Sequence, residues 1–303
     1  MTKKVTSISE LIGNTPLIKL NKVVPEGAAD VYVKLESQNV GGSVKDRTAL
    51  NMLEVAEENG SLKPGFTILE ATDGNMGISI AMLAAAKGYQ ALLVMPQEDN
   101  HSVRLILEAY GAQVIETPIE EGIAGAIAKA EELSNQANTY YMRQFQNPAN
   151  SAMHEATTGP EIIEAFSGET PDAFVASVGT GGTLTGVGRA LRAVNPNVEV
   201  YAVEPTESQV LSDGRQGTHN IPGMGAGFIP PVLDVTLYNG VIRISSEEAA
   251  AMAIRLAKEE GLLLSSSSGA AIAGAIEIAK RLGRGKSVVT ISPDSGSRYL
   301  VNK

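Results

Sequence analysis

The sequence predicts an α/β fold: two domains built on mainly parallel sheets flanked by helices. Three observations carry this. Short strand-type runs alternate with longer helical runs, the pattern of βαβ units. Runs such as Thr67-Ile68-Leu69-Glu70-Ala71 read as buried-type strands. The length of 303 residues suits about two domains.

Residues 8–20 read as a short helical turn, a Gly-Asn-Thr-Pro turn and a strand. A second short strand covers 31–35. A helix follows Lys45 over 48–58, and Pro64-Gly65 lies in the turn that closes it. Strand 67–71 leads to an alanine-rich helix over 78–87, ended by Gly88. Strand 91–95, helix 102–110 (ended by Gly111), strand 113–116 and helix 123–134 continue the alternation. Strand 174–178 runs into glycines and a helix over 186–194. Strand 199–203, helices 247–260 and 270–282, and strand 287–291 complete the pattern. Residues 204–234 are rich in Gly and Pro and read as a long functional loop. Neither a repeat nor a low-complexity segment is present.

Composition removes several function classes. A net charge of -10 without a basic run argues against a nucleic-acid surface. Absence of cysteine excludes disulfides, thiolate metal sites and a Cys nucleophile. His101, His154 and His219 lie far apart and show no metal-ligand spacing; they read as structural or surface residues. The start, Met1-Thr2-Lys3-Lys4-Val5, lacks the apolar core of a signal peptide, and no apolar run is long enough to span a bilayer. A cytoplasmic protein is expected.

In such folds ligands meet the loops at the C-terminal ends of strands. The stretch Gly41-Gly42-Ser43-Val44-Lys45-Asp46-Arg47 puts a lysine at a helix start, with Ser43 as a plausible N-cap. The positive end of a helix disfavours an ammonium, which suits an amine that must act as a nucleophile. Alone, such a lysine reads as solvated surface. Thr72-Asp73-Gly74-Asn75-Met76-Gly77 is a second strand-to-helix loop. Gly179-Thr180-Gly181-Gly182-Thr183 is a third, and its N–H groups and hydroxyls suit a phosphate. It is neither a Walker loop nor the usual dinucleotide fingerprint. The run Ser265-Ser266-Ser267-Ser268 precedes another helix; it caps that helix or offers a hydroxyl to a ring nitrogen. A lysine amine, a phosphate cradle and a hydroxyl for a heterocycle are the protein's share of pyridoxal phosphate chemistry.

These residues resemble the cysteine synthase (O-acetylserine sulfhydrylase) family of fold type II pyridoxal-phosphate enzymes, which includes cystathionine β-synthase. The resemblance spans nearly the whole chain. Its motifs are Ile12-Gly13-Asn14-Thr15-Pro16-Leu17, residues 42–47 and residues 179–183. Gln144-Phe145 with Asn147-Pro148-Ala149-Asn150, Gly225-Ala226-Gly227-Phe228-Ile229-Pro230 and Ser267-Ser268-Gly269-Ala270-Ala271 complete the set. It implies a smaller, partly mobile domain over 41–145, and a larger cofactor-binding domain over 1–40 and 146–303. It implies that Lys45 forms the internal aldimine and then serves as base and acid. Asn75 would bond the cofactor's 3′ oxygen, Gly179, Thr180, Gly181, Gly182 and Thr183 its phosphate, and Ser267 its pyridine nitrogen. Thr72 and Gln144 would receive the substrate carboxylate, and residues 225–230, beginning with Gly225 and Ala226, would line the pocket. The implied reaction is β-replacement on an activated L-serine through an α-aminoacrylate, giving L-cysteine from O-acetyl-L-serine and sulfide, in a homodimer.

The chain departs from the family pattern on the substrate side. Where the usual loop reads Thr-Ser-Gly-Asn-Thr-Gly, Asp73 and Met76 stand at positions that bind the substrate carboxylate. An ionised Asp73 facing that group at about 4 Å costs roughly 4 kcal/mol at an effective dielectric of 20, about a thousandfold in affinity. Asp99-Asn100-His101-Ser102-Val103-Arg104, Leu264-Ser265-Ser266, Val40, Pro222 and Met224 also differ from the pattern. An alternative is therefore a specialised paralogue using cysteine or serine, with cystathionine formation or sulfide release. Serine acetyltransferase, a partner in this family, is expected to bind weakly. A cofactor-retaining binding protein is a non-enzyme alternative, against which the retained Lys45, Asn75, phosphate loop and Ser267 argue. A nucleotide-dependent oxidoreductase leaves Lys45 unexplained.

Overall fold

The computed structural model describes residues 4–97 and 102–300. The substitutions at Asp99, Asn100 and His101 lie outside the described residues. In chain order the elements are β1 (Leu17–Lys19), β2 (Asp30–Leu35), α1 (Lys45–Glu58), β3 (Thr67–Ala71), α2 (Asn75–Lys87), β4 (Gln90–Pro96), α3 (Ser102–Ala109), β5 (Gln113–Thr117), α4 (Gly122–Leu133) and β6 (Thr139–Tyr141). There follow α5 (Ala149–Met153), a π-helical turn (His154–Thr158), α6 (Gly159–Ala165), β7 (Ala173–Ser177), α7 (Gly182–Val194), β8 (Glu199–Pro205), α8 (Val210–Asp213), β9 (Gly240–Ile244), α9 (Ser246–Arg255), α10 (Ser266–Leu282) and β10 (Ser287–Ser292).

The chain divides into two compact units. One joins the described residues before Gly13 to Asn39–Asn150; the other joins Gly13–Gln38 to Ser151–Leu300. The smaller unit holds a four-stranded sheet in the order β5-β4-β3-β6, parallel throughout. Period-2 alternation sends Ile68 of β3 and Leu93 of β4 to one face, with Met52 and Leu53 of α1 and Ile80 and Leu83 of α2. Leu69, Ala71 and Val94 go to the other face, against Ala126 and Ala130 of α4. Coverage on both faces explains why these strands carry few polar residues. The larger unit holds a six-stranded sheet, β1-β2-β10-β7-β8-β9, in which only the edge pair β1–β2 is antiparallel. Val31, Val33, Val175 and Val203 face α10 residues Ile272, Ala275 and Ala279. Phe174, Ala176, Val200 and Ile291 face Leu184, Val187 and Leu191 of α7.

The α/β class and the mainly parallel sheets agree with the sequence. Boundaries shift in an informative way. Helices expected from 78, 186 and 270 begin at Asn75, Gly182 and Ser266. Glycine- and serine-rich stretches have weak helix propensity, so they read as loops, yet they form the first turns of the helices that follow. Strands β6 and β9 and the run from α5 to α6 are elements that the sequence pattern does not signal. The last contains Asn, Ser, His, Thr, Gly and Pro, all poor helix formers, and is held by packing. A Cβ on Gly186 of α7 would lie 2.2 Å from the Ser151 carbonyl, so the two helices meet only across a glycine.

Candidate active site

In the smaller unit Lys45 is the first residue of α1 and is half-buried. Ser43 caps from further out than expected: Val44 is the N-cap and makes no side-chain bond, while the Ser43 hydroxyl accepts the Lys45 N–H at 3.2 Å. The fully buried Asp46 carboxylate clamps the turn. Its Oδ2 accepts the Gly41 N–H at 2.7 Å and its Oδ1 accepts the Ser79 hydroxyl at 2.6 Å. A Cβ at Gly41 would sit 2.5 Å from that carboxylate, so the approach requires glycine. Ser79 Oγ also lies 3.0 Å from the Asn75 carbonyl, which ties the first turns of α1 and α2 together.

The substrate-side loop joins β3 to α2. The buried Thr72 hydroxyl accepts both the Gly74 and Gly77 N–H groups at 3.1 Å, so it shapes the loop from within. Asp73 is exposed and Asn75 half-buried. Met76 is only 2% exposed and packs with the core on the α1–α2 face of the sheet. Gln144 is buried; its side-chain amide donates to the Ala71 carbonyl at 2.7 Å. An amide has two N–H groups, so one is left to meet a ligand. Glu70 anchors the Gln144 backbone N–H at 3.0 Å. Burial pushes its carboxyl up to about 8 against the pull of that N–H, the Ala71 N–H and Arg143.

In the larger unit Gly179, Thr180 and Gly181 lead into α7. Gly181, the N-cap, has φ +82 and no side chain to cap with; the Thr180 hydroxyl accepts the Gly182 N–H at 3.4 Å, and a glycine-lined helix start of this kind suits an anion. A Cβ at Gly179 would meet the Gly223 carbonyl at 2.4 Å, and one at Gly181 would meet Leu233 at 2.6 Å. Thr183 Oγ1 is held at 3.2 Å by His154 Nε2, whose Nδ1 meets Thr158 Oγ1 at 2.9 Å. The pocket motif adjoins this loop: the Gly225 N–H donates to the Val178 carbonyl at 2.9 Å. Ile221 donates its N–H to His219 Nδ1, so the other ring nitrogen carries the proton and donates to the Gly225 carbonyl at 3.0 Å. Ala226 follows, half-buried. Ser267 is 3% exposed, its hydroxyl 3.0 Å from that of Ser265, the N-cap of α10, and 3.5 Å from Asp294 Oδ1. Among the described residues no cluster could hold a metal, and no helix is long and apolar enough to cross a membrane.

Glu70, Asp46 and His154 were not singled out as site residues from sequence. Glu70 had a signal, a carboxylate inside an otherwise apolar strand; His154 had none. A buried helix start cradled by glycines that no larger residue can replace fits a phosphate, and a clamped helix-start lysine fits an aldehyde-bearing cofactor.

Comparison with known proteins agrees. Residues 8–294 match the family model described as pyridoxal-phosphate dependent enzyme. A cysteine synthase from Staphylococcus aureus is 53% identical over 298 residues, 98% of this chain and 96% of the relative. The crystal structure of O-ureido-L-serine synthase superposes with a TM-score of 0.95 at 41% identity, covering 99% of this chain and 95% of that one. That of the O-acetylserine dependent cystathionine beta-synthase from Helicobacter pylori gives 0.94 at 38%, covering 100% and 99%. With the family model spanning nearly all of it, the chain belongs to the pyridoxal-phosphate dependent enzymes.

Proposed function

We propose that the protein catalyses β-replacement on an activated L-serine, making L-cysteine from O-acetyl-L-serine and sulfide. The observation that carries this reading is the 53% identity to a cysteine synthase across 98% of the chain. Pyridoxal phosphate, when bound, supplies the electron sink that lets the Cα proton and the Cβ leaving group depart. Lys45 is the amine that would hold it and, when free, would take the Cα proton of the substrate. Asn75 would donate to the cofactor's 3′ oxygen, and the N–H groups and hydroxyls of residues 179–183 would hold its phosphate. Ser267 would meet the ring nitrogen as a neutral partner, which suits elimination better than chemistry needing a full pyridinium. Thr72, as organiser of its loop, and Gln144, through its remaining N–H, receive the substrate carboxylate. Gly225 and Ala226 line the pocket, and the enzyme works as a homodimer in the cytoplasm.

One mixing experiment tests this. The yellow, cofactor-loaded protein is given O-acetyl-L-serine, and its absorbance should shift; sulfide should then restore it with release of cysteine. No shift with O-acetyl-L-serine sinks the reading.

Asp73 favours a second reading, a changed donor such as cysteine or serine, or a changed nucleophile; Met76, packed into the core, adds only the loss of a hydroxyl usual in the family. Because Asp73 is exposed, water screens it, and the like-charge penalty drops from about 4 toward about 1 kcal/mol. Asp73→Ser is therefore expected to lower KM for O-acetyl-L-serine about fivefold. If the wild type already runs at full cysteine synthase efficiency and Asp73→Ser changes nothing, the specialised reading fails. The same substitutions weaken capture of serine acetyltransferase, whose C-terminal carboxylate enters this site in the family. A peptide ending in isoleucine is expected to bind poorly, and a tight complex by calorimetry refutes that.

A further inference from the structure

Strand β3 ends where the substrate-side loop begins, and its pairing with β6 stops short of that end. The ladder runs only to Leu69↔Tyr141, followed by the Met142 N–H donating to the Leu69 carbonyl at 3.0 Å. At Arg143 the backbone enters the left-handed region, φ +57, and the strand leaves the sheet. Glu70 then does with its side chain what the ladder no longer does. Its Oε2 accepts the Gln144 N–H at 3.0 Å, and its Oε1 accepts the N–H of Ala71, next to it, at 2.8 Å. Gln144 closes the ring through its own amide, 2.7 Å from the Ala71 carbonyl, and Asn150 Nδ2 holds the Gln144 carbonyl at 2.9 Å. Ala71 leads directly into Thr72, so one buried carboxylate sets the spacing between the residue 72–77 loop and Gln144.

We infer that Glu70 is a positioning residue for the substrate carboxylate: by bonding Gln144 and Ala71 at once, it holds the two halves of the amino-acid site in register. This rests on the functional reading above. A carboxyl can accept from two N–H donors, one on each oxygen; ionised it does so with both oxygens equally, and protonated it does so with its carbonyl oxygen and a hydroxyl lone pair, whereas an amide offers one acceptor oxygen. The fold keeps it at a cost. Glu70 is fully buried, and the nearby charges are Arg143, which is spent on Glu131 at 3.1 and 2.6 Å, and Glu131 itself; Tyr140 and Tyr141 are the other titratable neighbours. Burial raises its carboxyl to about 8. A carboxyl raised in the folded state favours folding at low pH, and that benefit is lost as pH climbs from the ordinary range near 4.5 through about 8.

The test uses the cofactor-loaded protein with O-acetyl-L-serine as probe, in wild type, Glu70→Gln, Gln144→Ala and the double variant. Expected for Glu70→Gln are a KM at least tenfold higher, an unchanged cofactor absorbance, and a flatter dependence of Tm on pH between 5 and 8. Hydrogen exchange at the Ala71 and Gln144 amides should quicken about tenfold, with or without the cofactor. The double variant should be little worse than Gln144→Ala, because the two residues act as one unit. A KM within twofold of wild type, or additive penalties in the double variant, overturns the assignment to Glu70 alone. A wild type that fails to respond to O-acetyl-L-serine overturns the functional reading, and the assignment with it.

Discussion

Lys45→Ala is expected to cut kcat/KM with O-acetyl-L-serine and sulfide by on the order of 10⁴-fold or more, about 5 kcal/mol of transition-state stabilisation. In the proposed reaction, removing the amine takes away both the covalent anchor and the base that receives the Cα proton, so both roles would fail together. The fold should survive. Lys45 is half-buried at the first position of α1, where alanine is a better helix former, and Tm should move by no more than a few degrees. What aims the amine stays in place: Asp46 still holds the Gly41 N–H and Ser79, and the Ser43 hydroxyl still accepts the N–H of residue 45. Borohydride reduction followed by peptide mass analysis reads the anchor directly. The cofactor mass should sit on the Lys45 peptide of the wild type and on no peptide of the variant. Label on another lysine, or activity above about a hundredth of wild type, rejects the role.

Glu161→Ala should cost about 3–5 kcal/mol, because it strands a buried charge. Lys34 is buried on β2, its Nζ 2.7 Å from Glu161 Oε2 and 2.7 Å from the Thr15 carbonyl. The other Glu161 oxygen accepts the Asn14 N–H at 3.0 Å, at a residue with φ +50. Glu161 therefore both neutralises Lys34 and holds the left-handed turn ahead of Pro16. For a chain of this size the loss corresponds to a fall in Tm of roughly 10 °C by calorimetry. Adding Lys34→Met to Glu161→Leu should recover most of it, since an apolar pair of similar volume needs no partner charge. A shift below about 2 °C in the single variant shows that water reaches Lys34 and compensates it.

Local motifs made much of the site legible. Lys45, the glycines of residues 179–183 and the serines before α10 announce themselves because a helix start and a left-handed turn impose residue types over a few neighbours. Their meaning as a set came through family resemblance, which local spacing alone does not supply. The helices start at Asn75, Gly182 and Ser266, earlier than their sequences suggest, for the same physical reason: the residues that make a good cradle are poor helix formers.

Tertiary structure decided which side chains those motifs lean on. Met76, which in sequence reads as a substrate-facing replacement, packs into the core, while its neighbour Asp73 is exposed. Glu70 meets Gln144 across 74 positions, His154 meets Thr183 across 29, and Lys34 pairs with Glu161 from a distant helix. By itself the sequence determined the fold class and the cofactor chemistry, and it singled out the lysine proposed to hold the cofactor, because these depend on backbone conformation and hydrogen-bonding groups specified within a few residues. Only the packed structure decided how buried charges are compensated and how far each loop is shielded from water, because both depend on atoms that folding brings together from far along the chain.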